Sequence, residues 1–148
     1  MNIIISAITS ASEKYPQVFR LRDEILRKPL GMSLVNDDLS RDHTDTIFIA
    51  EHNEEVIGCV LLHHLSAEEA QLRAMAVYDK WQGQGVGRML VEALENFSSE
   101  KGYSKIILHA RKVVLGFYSG MGYSVTGDEF TEVGIPHYMM EKSLPGNK

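Results

Sequence analysis

The segment Gln82-Gly83-Gln84-Gly85-Val86-Gly87-Arg88 constrains this chain more than any other stretch. It sets three glycines within five residues, between a run of strand character and the start of an amphipathic helical pattern. Glycine loses more backbone freedom on folding than any other residue, so a simple connecting turn gains nothing from three of them. A helix N-terminus leaves backbone N–H groups without partners and carries partial positive charge. Glycines let an anion approach those groups with no Cβ in the way. Together these features predict a phosphate cradle. Arg88, in the first helical turn, opposes the dipole preference, and its natural partner is an external phosphate.

The elements around this loop follow from periodicity. Met1 to Ser6 is short and apolar with no basic residue ahead of it, which reads as a first strand rather than a signal peptide. Ser10-Ala11-Ser12-Glu13 has the form of a capping box. Tyr15, Val18, Phe19, Arg22, Ile25 and Leu26 recur at helical spacing behind it, and Pro29 and Gly31 stop the helix. Asn36 to Asp45 is polar and mostly acidic, predicting a solvated loop. Thr46–Glu51 and Val56–Leu65 read as a hairpin about Asn53-Glu54-Glu55, and Ala70–Tyr78 as a third strand. From Gly85 a helix carries Val86, Leu90, Val91, Leu94 and Phe97 on one face, with Arg88, Glu92, Glu95 and Asn96 on the other. Lys101-Gly102 closes it. Ser104–Ala110 is nearly continuous in apolar residues, predicting a strand covered on both faces and parallel to the one before the loop. A short helix near Val113–Ser119 and strands near Tyr123 and Tyr138 complete a single domain spanning residues 1–148.

The totals exclude several functions. With 15 basic and 20 acidic side chains the formal charge is −5, against the basic face that nucleic-acid binding demands. No stretch approaches the ~20 apolar residues of a membrane span. Cys59 is the single cysteine, so no internal disulfide can form, in keeping with a cytoplasmic protein. It sits mid-strand in an apolar run and reads as a core residue. No histidine or cysteine pair has zinc-ligand spacing, so no metal is expected.

The loop does not follow the best-known phosphate motifs. Gly-x-Gly-x-x-Gly, started at Gly83, ends on Arg88; started at Gly85, it ends on Leu90. The P-loop signature is absent. Gln82, Gly85 and Gly87 do match Gln-x-x-Gly-x-Gly. Phe117-Tyr118-Ser119-Gly120-Met121-Gly122-Tyr123 matches Phe-Tyr-x-x-x-Gly-Phe/Tyr at a fitting distance downstream. On these residues the chain resembles the GNAT superfamily of N-acetyltransferases. The family's usual Glu-Lys pair after the tyrosine is replaced by Ser119-Gly120, and the added glycine should loosen that helix end. Leu21-Arg22 through Arg27-Lys28-Pro29-Leu30-Gly31, and Glu132-Val133-Gly134-Ile135-Pro136-His137, are similar to segments of one bacterial subgroup.

The resemblance implies an α/β (α+β) fold: a central mixed sheet, helices on both faces, and splayed parallel strands at the acetyl-CoA site. It implies acetyl-CoA as co-substrate, an amine acceptor and direct attack through a tetrahedral intermediate. Met75, Ala76 and Val77 would line the acyl arm with their backbone and supply the oxyanion donor. Gln82, Gly83, Gln84, Gly85, Val86, Gly87 and Arg88 would bind the diphosphate. Tyr118 would stand near the thiol as general acid. The base is open among Glu69, His109, Glu132 and His137, and His137 is favoured because a Gly-Ile-Pro turn precedes it and imidazole titrates near neutrality. His63 and His64 alternate across a strand, so one at most faces a site. Arg20, Arg22 and Arg27 are candidates for an acidic acceptor, with a solvated helix face as the alternative. Trp81 is expected to pack beneath the loop. Rival readings are an acyl-CoA-binding module without transfer, or a transferase for another acyl-CoA. Homodimers are common in the superfamily.

Overall fold

The computed structural model describes residues 2–145. Their strands form a seven-stranded sheet in the order β1-β2-β3-β4-β5-β7-β6. The packing divides the chain into two units: one runs up to His63 and resumes at Arg73–Leu94, the other comprises His64–Leu72 and the chain from Glu95 onward.

In the first unit, β1 (Ile4–Ile8) pairs antiparallel with β2 (Thr46–His52), and β2 with β3 (Glu55–His64). Asn53 and Glu54 both have positive φ, the conformation of a two-residue hairpin turn matched to strand twist. Strand β4 (Glu69–Val77) contributes its residues from Arg73 on. Helix α1 (Tyr15–Arg22) lays Val18 and Leu21 on Ile47, Ile49, Val56, Cys59, Leu61 and Ala76. Gly58, the neighbour of Cys59, points to the other face. A Cβ there would lie 3.1 Å from both Leu90 Cδ1 and Val86 Cγ1, so the first turns of α2 (Val86–Glu100) pack on the face opposite α1. Both faces of β3 are covered, which explains its unbroken burial from Val56 to Leu62.

The expected capping box does not form. Ser12 instead accepts the Lys14 N–H on its Oγ at 3.1 Å, and its carbonyl accepts the Tyr15 N–H at 3.0 Å. The segment turns before the helix, which begins at Tyr15 with Pro16 in its first turn and no side-chain cap. Beyond Arg22 it widens into a π-turn (Asp23–Arg27), tightens into a 3-10 turn (Lys28–Leu30) and stops at Gly31, φ 72°.

In the second unit, Glu69–Leu72 of β4 pair in parallel with Lys105–Leu108 of β5 (Lys105–Arg111). The order places β7 (Ile135–Ser143) between β5 and β6 (Ser124–Glu132), antiparallel to both. Burial along β5 alternates, with Ile106, Leu108 and Ala110 buried and Lys105, Ile107, His109 and Arg111 half-buried. The expected two-sided burial fails because His109 and Arg111 carry polar ends that keep their face partly open to water. The helical end does close at Gly102, φ 89°, as predicted. After a 3-10 turn (Lys112–Val114), helix α3 (Leu115–Ser119) holds together through its glycine: the Gly120 N–H reaches the Gly116 carbonyl at 3.0 Å, and the Tyr123 N–H reaches the Tyr118 carbonyl at 3.1 Å. The expected loosening at Ser119-Gly120 is not seen.

Candidate active site

The glycine loop lies in the first unit. After β4 a 3-10 turn (Asp79–Trp81) leads into it. Gly83 (φ 78°) and Gly85 (φ 84°) take left-handed backbone, and no atom lies within 4 Å of where a Cβ would stand on either. Conformation, not crowding, therefore demands glycine here. The Met89 N–H closes the first helical turn onto the Gly85 carbonyl at 3.0 Å. Among the described residues no backbone carbonyl takes the N–H groups of Val86, Gly87 and Arg88, as expected at a helix start. Residues 82–85 and Arg88 are exposed. Gly87 is half-buried and Val86 buried.

Two glutamines brace it. Gln82 Nε2 donates to the Val77 carbonyl at 2.8 Å and to Asp79 Oδ1 at 3.2 Å. Gln84 Nε2 donates to the Lys80 carbonyl at 3.1 Å. Both side-chain amides point back into the loop. Trp81 directly precedes the loop. Its ring lies 4.7 Å from that of His52, and it lines an open cavity of about 450 Å³ with Glu24, Glu55, Val56 and Tyr78.

Upstream, Ala74 has φ 53°, an uncommon conformation for alanine. Ala74 turns its carbonyl toward Cys59 Sγ at 3.5 Å. It marks an irregularity in β4 just ahead of Met75, Ala76 and Val77, and the Tyr78 N–H then rejoins β3 at the Ile57 carbonyl. Nothing in the sequence signals this, because alanine carries no mark of left-handed backbone. Burial pushes the Cys59 thiol up to about 12.

Arg22, a candidate for an acidic acceptor or a solvated face, instead joins Asp42 and Asp45 of the expected loop, with Arg73 and His63, in a largely buried network. Arg22 Nη1 meets Asp42 Oδ2 at 2.7 Å, with both side chains almost wholly buried. Arg73 joins Asp42 to Asp45, reaching Asp45 at 2.7 Å, and His63 Nδ1 lies 2.7 Å from Asp45. Tyr15 donates to Asp42. Burial raises the pKa of Asp42, but the Tyr15 hydrogen bond, Arg22 and Arg73 together bring it below the ordinary carboxylate value. Burial and the same bond to Asp42 push Tyr15 up to about 12. Arg27 pairs with Asp37 at 2.9 Å. Arg22 and Arg27 are thus engaged within the protein with Asp42 and Asp37, while Asn36, Asp38 and Ser40 of the 36–45 segment are exposed, as a surface loop requires.

In the second unit Tyr118 projects from α3 and is 5% exposed. Phe117 and Tyr123 meet its ring edge-on at centroid distances of 5.0 and 5.8 Å. Burial raises its pKa, so the phenol keeps its proton through the neutral range. Three of the four base candidates converge on one face of β5-β7-β6. His109 Nδ1 lies 2.9 Å from Glu132 Oε1, and His137 Nε2 lies 3.7 Å from Glu132 Oε2. The fourth, Glu69, stands apart beside Lys105 at 3.8 Å. The turn before His137 is made by Val133 and Gly134, both at positive φ. Ile135 and Pro136 already belong to β7, and the ring is held by the Ile135 carbonyl, 2.9 Å from Nδ1. Among the described residues no group of three or more His, Cys, Asp or Glu side chains is placed to hold a metal, and no helix is long and apolar enough to cross a membrane.

Comparison with known proteins agrees with this architecture. The chain is 35% identical over 78 residues to the uncharacterized protein YyaT of Bacillus subtilis, covering 53% of each. It is 26% identical over 140 residues to an unconfirmed acetyltransferase of the same organism, covering 93% of this chain and 95% of that one. It thus spans about half of one relative and nearly all of the other. A GNAT family acetyltransferase from Elizabethkingia anophelis, solved with acetyl-CoA bound, superposes with a TM-score of 0.72 at 22% identity, covering 97% of this chain and 99% of that one. The family model described as an acetyltransferase (GNAT) domain matches residues 24–144. The chain belongs to the GNAT acetyltransferase family.

Proposed function

We propose that residues 1–148 act as one N-acetyltransferase domain that moves the acetyl group of acetyl-CoA to an amine. The observation that carries this reading is the row of N–H groups from Gly83 to Arg88 that no backbone carbonyl takes among the described residues, at a helix start that follows a strand and is braced by Gln82 and Gln84. Such a row binds diphosphate through backbone donors and dipole. The acetyl-CoA bound in the Elizabethkingia protein of the same fold supports that ligand. We assign Gln82 to the loop's shape rather than to contact, and Gly83, Gln84, Gly85, Val86, Gly87 and Arg88 to the diphosphate. The backbone of Met75, Ala76 and Val77, beyond the irregularity at Ala74, is assigned to the acyl arm.

Tyr118 is the proposed acid. A phenol that stays protonated near neutrality can give its proton to the departing thiolate. His137 is assigned to the acceptor side, with its ring fixed by the Ile135 carbonyl. Calorimetry with acetyl-CoA and coenzyme A, paired with free-thiol release over a panel of amines, tests the whole reading. Binding with amine-dependent thiol release supports transfer. Binding without release by any amine supports a module that has lost transfer. Faster release from another acyl-CoA would reassign the donor.

A further inference from the structure

Arg73 stands immediately before the left-handed Ala74 (φ 53°). Its guanidinium forks between two buried carboxylates, donating from Nη2 to Asp42 and from Nε to Asp45 at 2.7 Å. A planar fork held at two points has one position, which a single ammonium does not fix. The carboxylates are themselves fully engaged. Asp42 Oδ2 accepts from Tyr15 and from Arg22 Nη1 of α1, and Asp45 Oδ1 accepts from His63 Nδ1 of β3. Each carboxylate oxygen of Asp42 and Asp45 therefore has a donor, and the two arginines balance the two aspartates. The network ties Arg73 to α1, to β3 and to the 3-10 turn (Ser40–His43) ahead of β2. All of these residues belong to the first unit.

The consequence lies in the main chain. In a regular strand, neighbouring residues point their side chains to opposite faces and their N–H and C=O groups to opposite edges. Here Arg73 reaches Asp42, the partner of Arg22 on α1, and Ala74 packs on the cluster of Val18, Leu21 and Ala76 against the same helix. Two successive residues thus share a face. The left-handed residue inserts one step into β4 and exchanges which residues face which edge beyond it. The Tyr78 N–H points to β3, where it meets the Ile57 carbonyl at 3.1 Å. By alternation Ala76 addresses β3 too, and Met75 and Val77 present their N–H and C=O groups on the edge away from β3. The Val77 carbonyl accepts from Gln82 Nε2 at 2.8 Å. Without the step at Ala74, Ala76 would take that outer edge instead.

We infer that the buried ion network holds the left-handed step at Ala74 and thereby selects Met75 and Val77 as the residues whose main-chain groups meet the acyl arm, with Arg73 as the positioning residue. This deepens the acetyltransferase reading above and rests on it. Left-handed backbone is unfavourable for alanine, because its Cβ crowds the following carbonyl. Two fixed bonds on the preceding side chain supply the restraint that keeps the step in place. Arg73 itself touches no ligand. It acts through the main chain of the residues that follow it.

The test compares wild type and Arg73→Lys in the full chain. Two ligands are titrated by calorimetry: coenzyme A, and its phosphorylated adenosine diphosphate half, which carries the diphosphate but no pantetheine arm. Lysine keeps the charge and loses the fork. Arg73→Lys should weaken coenzyme A about tenfold, roughly the loss of one main-chain hydrogen bond, and leave the nucleotide half within about twofold of wild type. In nitrogen-15 spectra of wild type, coenzyme A should move the Met75 and Val77 amides, and the nucleotide half should leave them in place. A purely structural network would weaken both ligands alike, and that result would overturn the proposal. So would folded Arg73→Lys that binds coenzyme A within about twofold of wild type, or Met75 and Val77 amides that coenzyme A does not move. If Arg73→Lys fails to fold, Asp45→Asn, which keeps the shape and removes one carboxylate, is read with the same two ligands against the same criteria. Wild type that binds neither ligand would contradict the acetyltransferase reading itself, and this proposal with it.

Discussion

At the residue scale, two groups show how burial sets chemistry. The Cys59 thiol, pushed up to about 12 by burial, should resist a disulfide reagent at pH 8 in the folded protein and react at once in denaturant. Fast reaction of native protein would contradict its placement in the core. Asp42 tests the buried network. Its pKa lies below the unfolded value of about 3.9, so the stability it lends is present above that value and is lost as pH falls through the folded value. Wild type should therefore lose denaturant resistance through this group as pH falls below the unfolded value. Asp42→Asn should lose about 3–5 kcal/mol at pH 7, where Arg22 is left buried without its partner, and should show a flatter acid profile. Equal acid slopes for the two proteins would contradict the assignment. Asp42, Asp45, Arg22 and Arg73 illustrate what a sequence hides. Read alone, each belongs on a surface. Their partners stand 20 and 31 residues away, and only tertiary packing pairs them.

At the element scale, the start of α2 is where fold and proposed function meet. Gly58 lets Val86 and Leu90 approach β3, and a larger side chain there must displace them. Gly58→Val should destabilise the protein by about 1–3 kcal/mol through overpacking, measured by urea denaturation, and should weaken coenzyme A binding by shifting the helix start. An unchanged midpoint would contradict the close packing. Gly85→Val forces a β-branched residue into left-handed backbone, at a cost of about 1–3 kcal/mol. Its coenzyme A dissociation constant should rise about tenfold or more, with the far-ultraviolet spectrum retained. This helix and its loop were legible from residue types alone, because glycine spacing and a 3.6-residue apolar stripe are local signals. The start of α1 was not. Ser10, Ser12 and Glu13 offered a cap, but a local turn took Ser12, and Ser10 lies 3.4 Å from His43 Nδ1 instead. The left-handed Ala74 had no residue type to announce it. The place of β7 between β5 and β6 is likewise a matter of long-range pairing that periodicity does not encode.

At the scale of the whole molecule, the family and the mixed seven-stranded sheet agree with what two short motifs implied. The motif residues divide by role: Gln82 braces the loop, while Tyr118 offers a phenol that burial keeps protonated. Tyr118→Phe should lower kcat without changing acetyl-CoA affinity, by a factor that stays constant between pH 6 and pH 9, since the phenol does not ionise in that window. A deficit that varied across the window would contradict the proposed acid. The central claim is that main-chain N–H groups at the start of α2 hold the diphosphate. Titration of nitrogen-15-labelled protein with coenzyme A addresses it most directly. The account predicts saturable amide shifts that are largest at Gly83, Gly85, Val86, Gly87 and Arg88. Saturable binding that leaves those five amides unmoved, or no binding at all, would contradict it.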